Sequence, residues 1–157
     1  MPAELPQPLA DLVADFAFVE RGDRMLMLIE FADRFQDVPS AIATRPFAEE
    51  NRVTRCESEA YVWAEDRPDG TLKFHFAVEN PQGLSAKAFS VIVDETLSGQ
   101  PLEEVVNVPG DVIFTLFGKD LSMGKGEGLL GILGMVQANA RRRLAARRAA
   151  AEAGQAS

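Results

Sequence analysis

Residues 58–79 read SEAYVWAEDRPDGTLKFHFAVE (Ser58–Glu79), and their period of two decides the fold class. Tyr61 and Trp63, then Leu72, Phe74, Phe76 and Val78, alternate with smaller or polar residues, as in strands whose successive side chains point to opposite faces. Between the two runs, Arg67-Pro68-Asp69-Gly70 is turn chemistry: Pro presets one backbone angle, Asp bonds its own backbone, and Gly accepts a left-handed conformation. The stretch predicts an antiparallel hairpin with strands over 58–65 and 71–79. His75, the sole histidine, falls on the Thr71/Lys73/His75 side, away from Leu72, Phe74 and Phe76. It reads as a solvated imidazole rather than as half of a catalytic dyad.

On both sides of the hairpin the period becomes helical. Leu9, Leu12, Val13, Phe16 and Val19 recur at helix spacing over Leu9–Glu20, with Gly22 as a stop. Asp23 is a candidate N-cap for a second helix whose Met25, Leu28, Ile29, Ala32 and Phe35 share a face, and the two are expected to pair as a helical hairpin. Residues 36–50, with Pro39 and Pro46, read as an irregular connector. Downstream, Leu84–Ser98 is helical up to Gly99, with Ala88, Val91, Ile92 and Glu95 along one side. Pro101 opens a short segment carrying Glu103 and Glu104 in its first turn, and Pro109–Phe117 is another short helix stopped by Gly118. The last predicted helix is Gly128–Ala150, fraying after about Arg148. This order gives an α+β class, a small antiparallel sheet covered by helices.

The chain has 157 residues, 46% hydrophobic and 25% charged, which suits a single domain over 1–157 with its core at about 9–140 and poorly ordered ends at 1–8 and 149–157. One cysteine, Cys56, excludes an intramolecular disulfide and a multi-cysteine cluster, and with one histidine no metal site is expected. Residues 141–157 hold five arginines against one glutamate, a net +4, so with a total of −8 the other 140 residues carry −12. An acidic body disfavours a nucleic-acid backbone, and no nucleic-acid partner is expected. The longest near-apolar run, Leu129–Val136, is far short of the roughly 20 residues of a membrane span. Met1-Pro2-Ala3-Glu4 does not resemble a secretory leader, so the expectation is a cytoplasmic protein off the membrane, its thiol kept reduced.

The chemistry concentrates at Val53-Thr54-Arg55-Cys56-Glu57-Ser58, where the lone thiol sits at the entry to a strand. A lone cysteine is most often a small buried hydrophobe, yet this one is flanked by Arg55, Glu57 and Ser58. Arg55 favours a thiolate while Glu57 and Glu59 oppose it, so both readings stand. The stretch GKDLSMGKGEG (Gly118–Gly128) fails as a phosphate loop, because five residues separate Gly118 from Gly124-Lys125 and Gly126 occupies the Ser/Thr position. It reads either as a flexible loop before the last helix or as a loop beside Cys56, its glycines allowing close backbone approach. The pairs Glu49-Glu50 and Glu103-Glu104 diverge by about 100° on a helix and read as surface.

Taken together, the cysteine followed by Ser and an aromatic strand, the segment Ser98-Gly99-Gln100-Pro101-Leu102-Glu103-Glu104 and the Gly-Leu-opened last helix resemble the SufE/CsdE family of sulfur-transfer proteins over roughly residues 9–140. The family stretch Val-x-Gly-Cys-x-Ser is similar to Val53–Ser58, and Leu-Ser-Pro-x-Arg-x-x-Gly-Leu to Leu121–Leu129. Arg55 replaces a glycine, Met123 a proline, and Lys125 an arginine, keeping the charge but losing the planar fork. The resemblance implies a SufE/IscU-like fold and a carrier that takes sulfane sulfur onto Cys56 from a SufS/CsdA-type cysteine desulfurase, stimulates that enzyme, and passes the sulfur to a downstream iron–sulfur scaffold. It implies no independent turnover and no cofactor of its own, pyridoxal phosphate (PLP) belonging to the desulfurase. Arg55, Glu57, Ser58, Lys125, Glu127 and Gly128 are the implied supporting or partner-binding residues, and a homodimer is left open. The other reading is a desulfurase-binding regulator of the same fold that carries no sulfur.

Overall fold

A computed structural model describes residues 5–54, 56 and 58–155. The chain runs through α1 (Gln7–Ala17), α2 (Arg21–Asp33), a single 3-10 turn (Glu49–Asn51), β1 (Ala60–Asp66), β2 (Leu72–Val78), α3 (Leu84–Leu97), α4 (Leu102–Val106), α5 (Val112–Phe117) and α6 (Met123–Gln155). The hairpin forms as its pattern predicts, antiparallel, with Ala60 opposite Val78, Trp63 opposite His75 and Asp66 opposite Leu72. Its loop is closed by Arg67 N–H donating to the Thr71 carbonyl at 2.9 Å and by the Asp69 carboxylate, which accepts from the Thr71 N–H at 3.0 Å. Gly70 takes φ +88°, a value that a side chain at that position would strain.

This two-stranded sheet is apolar on both faces. Ala60, Val62, Leu72, Phe74, Phe76 and Val78 enter the main core with α3 and α6, where each large side chain contributes about 1.5–3 kcal/mol by leaving water. Tyr61, Trp63 and Ala77 face the other way and pack with Val38, Ile42 and Phe47. The expected irregular connector is therefore a lid on the sheet's second face. Phe47 stacks edge-on against Trp63 with ring centroids 4.8 Å apart, and Arg45 holds the lid by reaching both Asp37 and Glu79.

Several expectations change. The first two helices do not pair as a hairpin: α2 lies along α3, and α1 lies against α5 and α3. The cause is α3, which buries Ala88, Phe89, Val91, Ile92, Val93 and Leu97 nearly all round and offers α2 a broader apolar surface than the α1 stripe. Gly22 stops nothing and lies within α2, while Asp23 sits in its first turn behind the cap residue Glu20. The last helix begins at Met123 rather than Gly128 and continues to Gln155 without ending at Arg148. Its start is capped by Ser122, whose hydroxyl accepts from the Lys125 N–H at 3.3 Å. Its basic half is held by Arg143 on Asp66 at 3.0 Å and by Arg147 on the Gly70 carbonyl. No helix among the described residues is long and apolar enough to cross a membrane.

Candidate functional site

Cys56 lies on a short loop pinned at both ends. On the near side the Val53 N–H donates to the Ala60 carbonyl at 2.8 Å, and Arg52 bridges Tyr61, so the chain approaches β1 along its free edge. On the far side the Asn80 N–H donates to the Ser58 carbonyl at 3.1 Å and the Glu79 N–H to Glu59 at 3.2 Å, tying the loop to the end of β2. The reversal between these anchors is made by the Glu59 N–H donating to the Cys56 carbonyl at 3.2 Å, with Glu59 in the left-handed region at φ +50°. That conformation is uncommon for a residue bearing a Cβ and costs about 1 kcal/mol. The buried Val53, 1% exposed, holds the ascending limb in the core, while Cys56 itself is half-buried.

Glycines let this loop lie directly on α6. A Cβ built on Gly128 would stand 3.4 Å from the Cys56 sulfur and 3.6 Å from its Cα. One turn on, a Cβ on Gly131 would meet Val53 Cγ1 at 2.7 Å and the Thr54 carbonyl oxygen at 3.3 Å. Residues three apart share a helix face, so the two glycines form one groove for residues 53–56. Gly83, before α3, serves the descending limb: a Cβ there would sit 3.0 Å from the Ser58 side chain. The reading of close backbone approach beside Cys56 thus holds, but at a helix face rather than in a flexible loop.

Cys56 opens onto a cleft of about 880 Å³, lined also by Ser58 and by Lys125 and Gly128 of α6. Of the residues singled out from sequence, Cys56, Ser58, Lys125 and Gly128 converge here. Glu127 is exposed and does not line the cleft, as expected for a helix position about 100° from Gly128. Arg55 and Glu57 lie outside the described residues. Spacing gave no sign of Arg21, Arg24 and Met25 from α2, or of Lys119 and Asp120 after α5, all of which line the same cleft. Arg24 braces its floor, donating to the carbonyls of Thr115, Leu116 (3.1 Å), Phe16 (3.3 Å) and Val19 (3.5 Å). One guanidinium thus satisfies the ends of α1 and α5, whose last carbonyls have no helical partner. The only sequence hint of this role is an arginine one turn into an amphipathic helix.

His75 is not part of the site. It lies on the sheet's second face, with a side chain 11% exposed rather than solvated and Nε2 2.9 Å from Glu65. Its cross-strand neighbour is Trp63, and the carboxylate of Glu65 takes the place of water at Nε2. Among the described residues no group of three or more His, Cys, Asp or Glu side chains is placed to hold a metal ion.

Three comparisons bear on this geometry. A family model described as "SufE: Fe-S metabolism associated domain" matches residues 10–140. Two uncharacterized SufE-like proteins of Mycobacterium tuberculosis, from strains CDC 1551 and H37Rv, are each 30% identical over 110 residues, covering 70% of this chain and 74% of the relative. A hypothetical protein from Thermus thermophilus, solved in solution, superposes with a TM-score of 0.73 at 26% identity, covering 90% of this chain and 99% of that one.

Proposed function

The chain belongs to the SufE family of domains associated with Fe–S metabolism, and from that premise we propose that it is a sulfur carrier, accepting sulfane sulfur on Cys56 from a PLP-dependent cysteine desulfurase of the SufS/CsdA type. The observation that carries this reading is the position of the lone thiol, half-buried in the wall of a cleft and against the backbone of α6. A persulfide needs shelter from reductants and oxidants together with a route for its donor, and a walled cleft supplies both.

The transfer balances with the two thiols alone. The Cys56 thiolate attacks the outer sulfur of the donor's cysteine persulfide, a Cys56 Sγ–S bond forms, the donor's S–S bond breaks, and the donor cysteine leaves as a thiolate. Pyridoxal phosphate supplies the earlier C–S cleavage on the donor enzyme. The one cysteine of this chain cannot be undercut by a second thiol of the same chain, which would attack the new persulfide and release sulfide. The carrier works in the cytoplasm, whose reducing pool keeps the thiol free, and it hands its sulfur to an iron–sulfur scaffold.

Incubation with desulfurase and L-cysteine followed by intact-mass and peptide mass spectrometry tests the proposal. The expected result is one added sulfur on the Cys56 peptide, and none on Cys56→Ser. Absence of the adduct, or full stimulation of the desulfurase by Cys56→Ser, overturns it, the second outcome being that of a regulator which carries no sulfur.

A further inference from the structure

One face of α6 has no partner within the described chain. Met123, Glu127, Leu130, Gly134 and Arg141 recur at intervals of three, four or seven residues, which sets them on one stripe of the helix. The stripe is turned away from the side that buries Leu129, Ile132, Leu133 and Val136. Met123 and Leu130 stand 81% and 40% exposed, and a methyl group on Gly134 would meet nothing within 4 Å. Glu127 and Arg141 are both exposed and have no ion pair among the described residues. None of the five lines the Cys56 cleft.

The spacing of the stripe is complementary to itself. Glu127 and Arg141 lie seven residues to either side of Gly134. A second α6 laid antiparallel across Gly134 therefore brings each glutamate to the other copy's arginine, twice by symmetry. The same two-fold sets Leu130 against Ala138, four residues to either side, and Met123 against Ala145, eleven to either side. At each step a large side chain faces a small one, as interdigitating helices require.

We propose that the chain forms a two-fold homodimer through this face, α6 against α6 and antiparallel, with the crossing at Gly134 and the two Glu127–Arg141 pairs fixing orientation and register. A parallel alignment sets Glu127 on Glu127 and Arg141 on Arg141 and is opposed by like charge. The occupant is a second copy because charge and side-chain size both match about a single centre of symmetry on one stripe. Two chains of net charge −8 repel each other overall, so the paired charges select the one face on which they meet. A single pair of helices is a small contact, which makes the association weak and dependent on concentration. The inference is independent of the carrier reading, since it concerns a face outside the thiol's cleft.

Sedimentation velocity of the full chain from about 5 to 500 µM, a range that brackets a weak dimer, tests this. Wild type is expected to pass from monomer to dimer. Glu127→Arg alone and Arg141→Glu alone each set like charges opposite one another twice, and each is expected to weaken the dimer about tenfold. Mixing the two variants in equal amounts is expected to restore wild-type association, because in the mixed dimer both facing pairs are again one arginine and one glutamate. Glu127→Arg/Arg141→Glu in one chain is expected to dimerise as wild type for the same reason, and it decides the matter if a single reversal fails to fold. A wild type that stays monomeric throughout, single reversals that dimerise as wild type does, or an exchanged chain or mixture that associates no better than the single variants overturns the proposal.

Discussion

A methyl group on Gly131 would stand 2.7 Å from Val53 Cγ1, a stiff β-branched side chain that is 1% exposed, whereas one on Gly134 would meet nothing within 4 Å. Both glycines lie inside α6, and replacing either with alanine recovers about 1 kcal/mol of helix propensity. At Gly131 the overpacking costs about 2 kcal/mol and outweighs that gain. Gly134→Ala is therefore expected to raise the thermal midpoint by about 2–4 °C and Gly131→Ala to lower it by a similar amount. Gly131→Ala also displaces the 53–56 loop, so its Cys56 is expected to react faster with a neutral alkylating reagent. Equal shifts in the two variants would show that the loop does not rest on this face. Cys56 and Gly128 were legible in the sequence because each is conspicuous by type: the only thiol, and a glycine in a glycine-dense run. Gly131, Gly83 and Arg24 were not, because what defines each is a neighbour far away along the chain.

Among the elements, the hairpin was readable because period-two alternation and turn residues are local, and both survive intact in the fold. The connector before it was not, because its hydrophobes Val38, Ile42 and Phe47 follow no period; they are placed by the second face of the sheet. Phe47→Ala tests the connector as a structural lid. It removes the ring that packs on Tyr61 at 5.1 Å and Trp63 at 4.8 Å, a half-buried aromatic whose loss costs about 2 kcal/mol. Trp63 is the only tryptophan and is 9% exposed, so its fluorescence should shift to longer wavelength while persulfidation of Cys56, on the other side of the sheet, is retained. An unshifted emission would mean that the lid is not seated by Phe47. The pairing of α1 with α2 failed for a related reason: adjacency along the chain favours it, but the apolar surface of α3 is the larger partner.

Across the whole molecule, α6 spans 33 residues, about 50 Å at helical rise, and carries the cleft at one end and arginines bound to the hairpin at the other. The Arg143 guanidinium, hydrogen-bonded to Asp66, holds that carboxyl below its ordinary value. The folded state thus retains the ionised form to lower pH than the unfolded chain does. The stabilisation is complete above the unfolded carboxylate value of about 4 and is lost as pH falls through the lower folded value. Asp66 is 69% exposed, so screening limits the effect to about 0.5 kcal/mol. In urea unfolding Asp66→Asn is expected to be less stable than wild type by about that amount at neutral pH, the difference closing below about pH 4; a gap that persists in acid would assign the loss to something other than this ion pair. From the sequence alone came the α+β order, the hairpin, most of the helices and a lone thiol in a polar setting, because periodicity, turn chemistry and composition are properties of neighbouring residues. Tertiary structure alone decided that α6 cradles the thiol, that the connector covers the sheet, and that cations from α2, the segment after α5 and α6 share one cleft with Cys56. These depend on packing and charge proximity between segments dozens of residues apart, which no local spacing records.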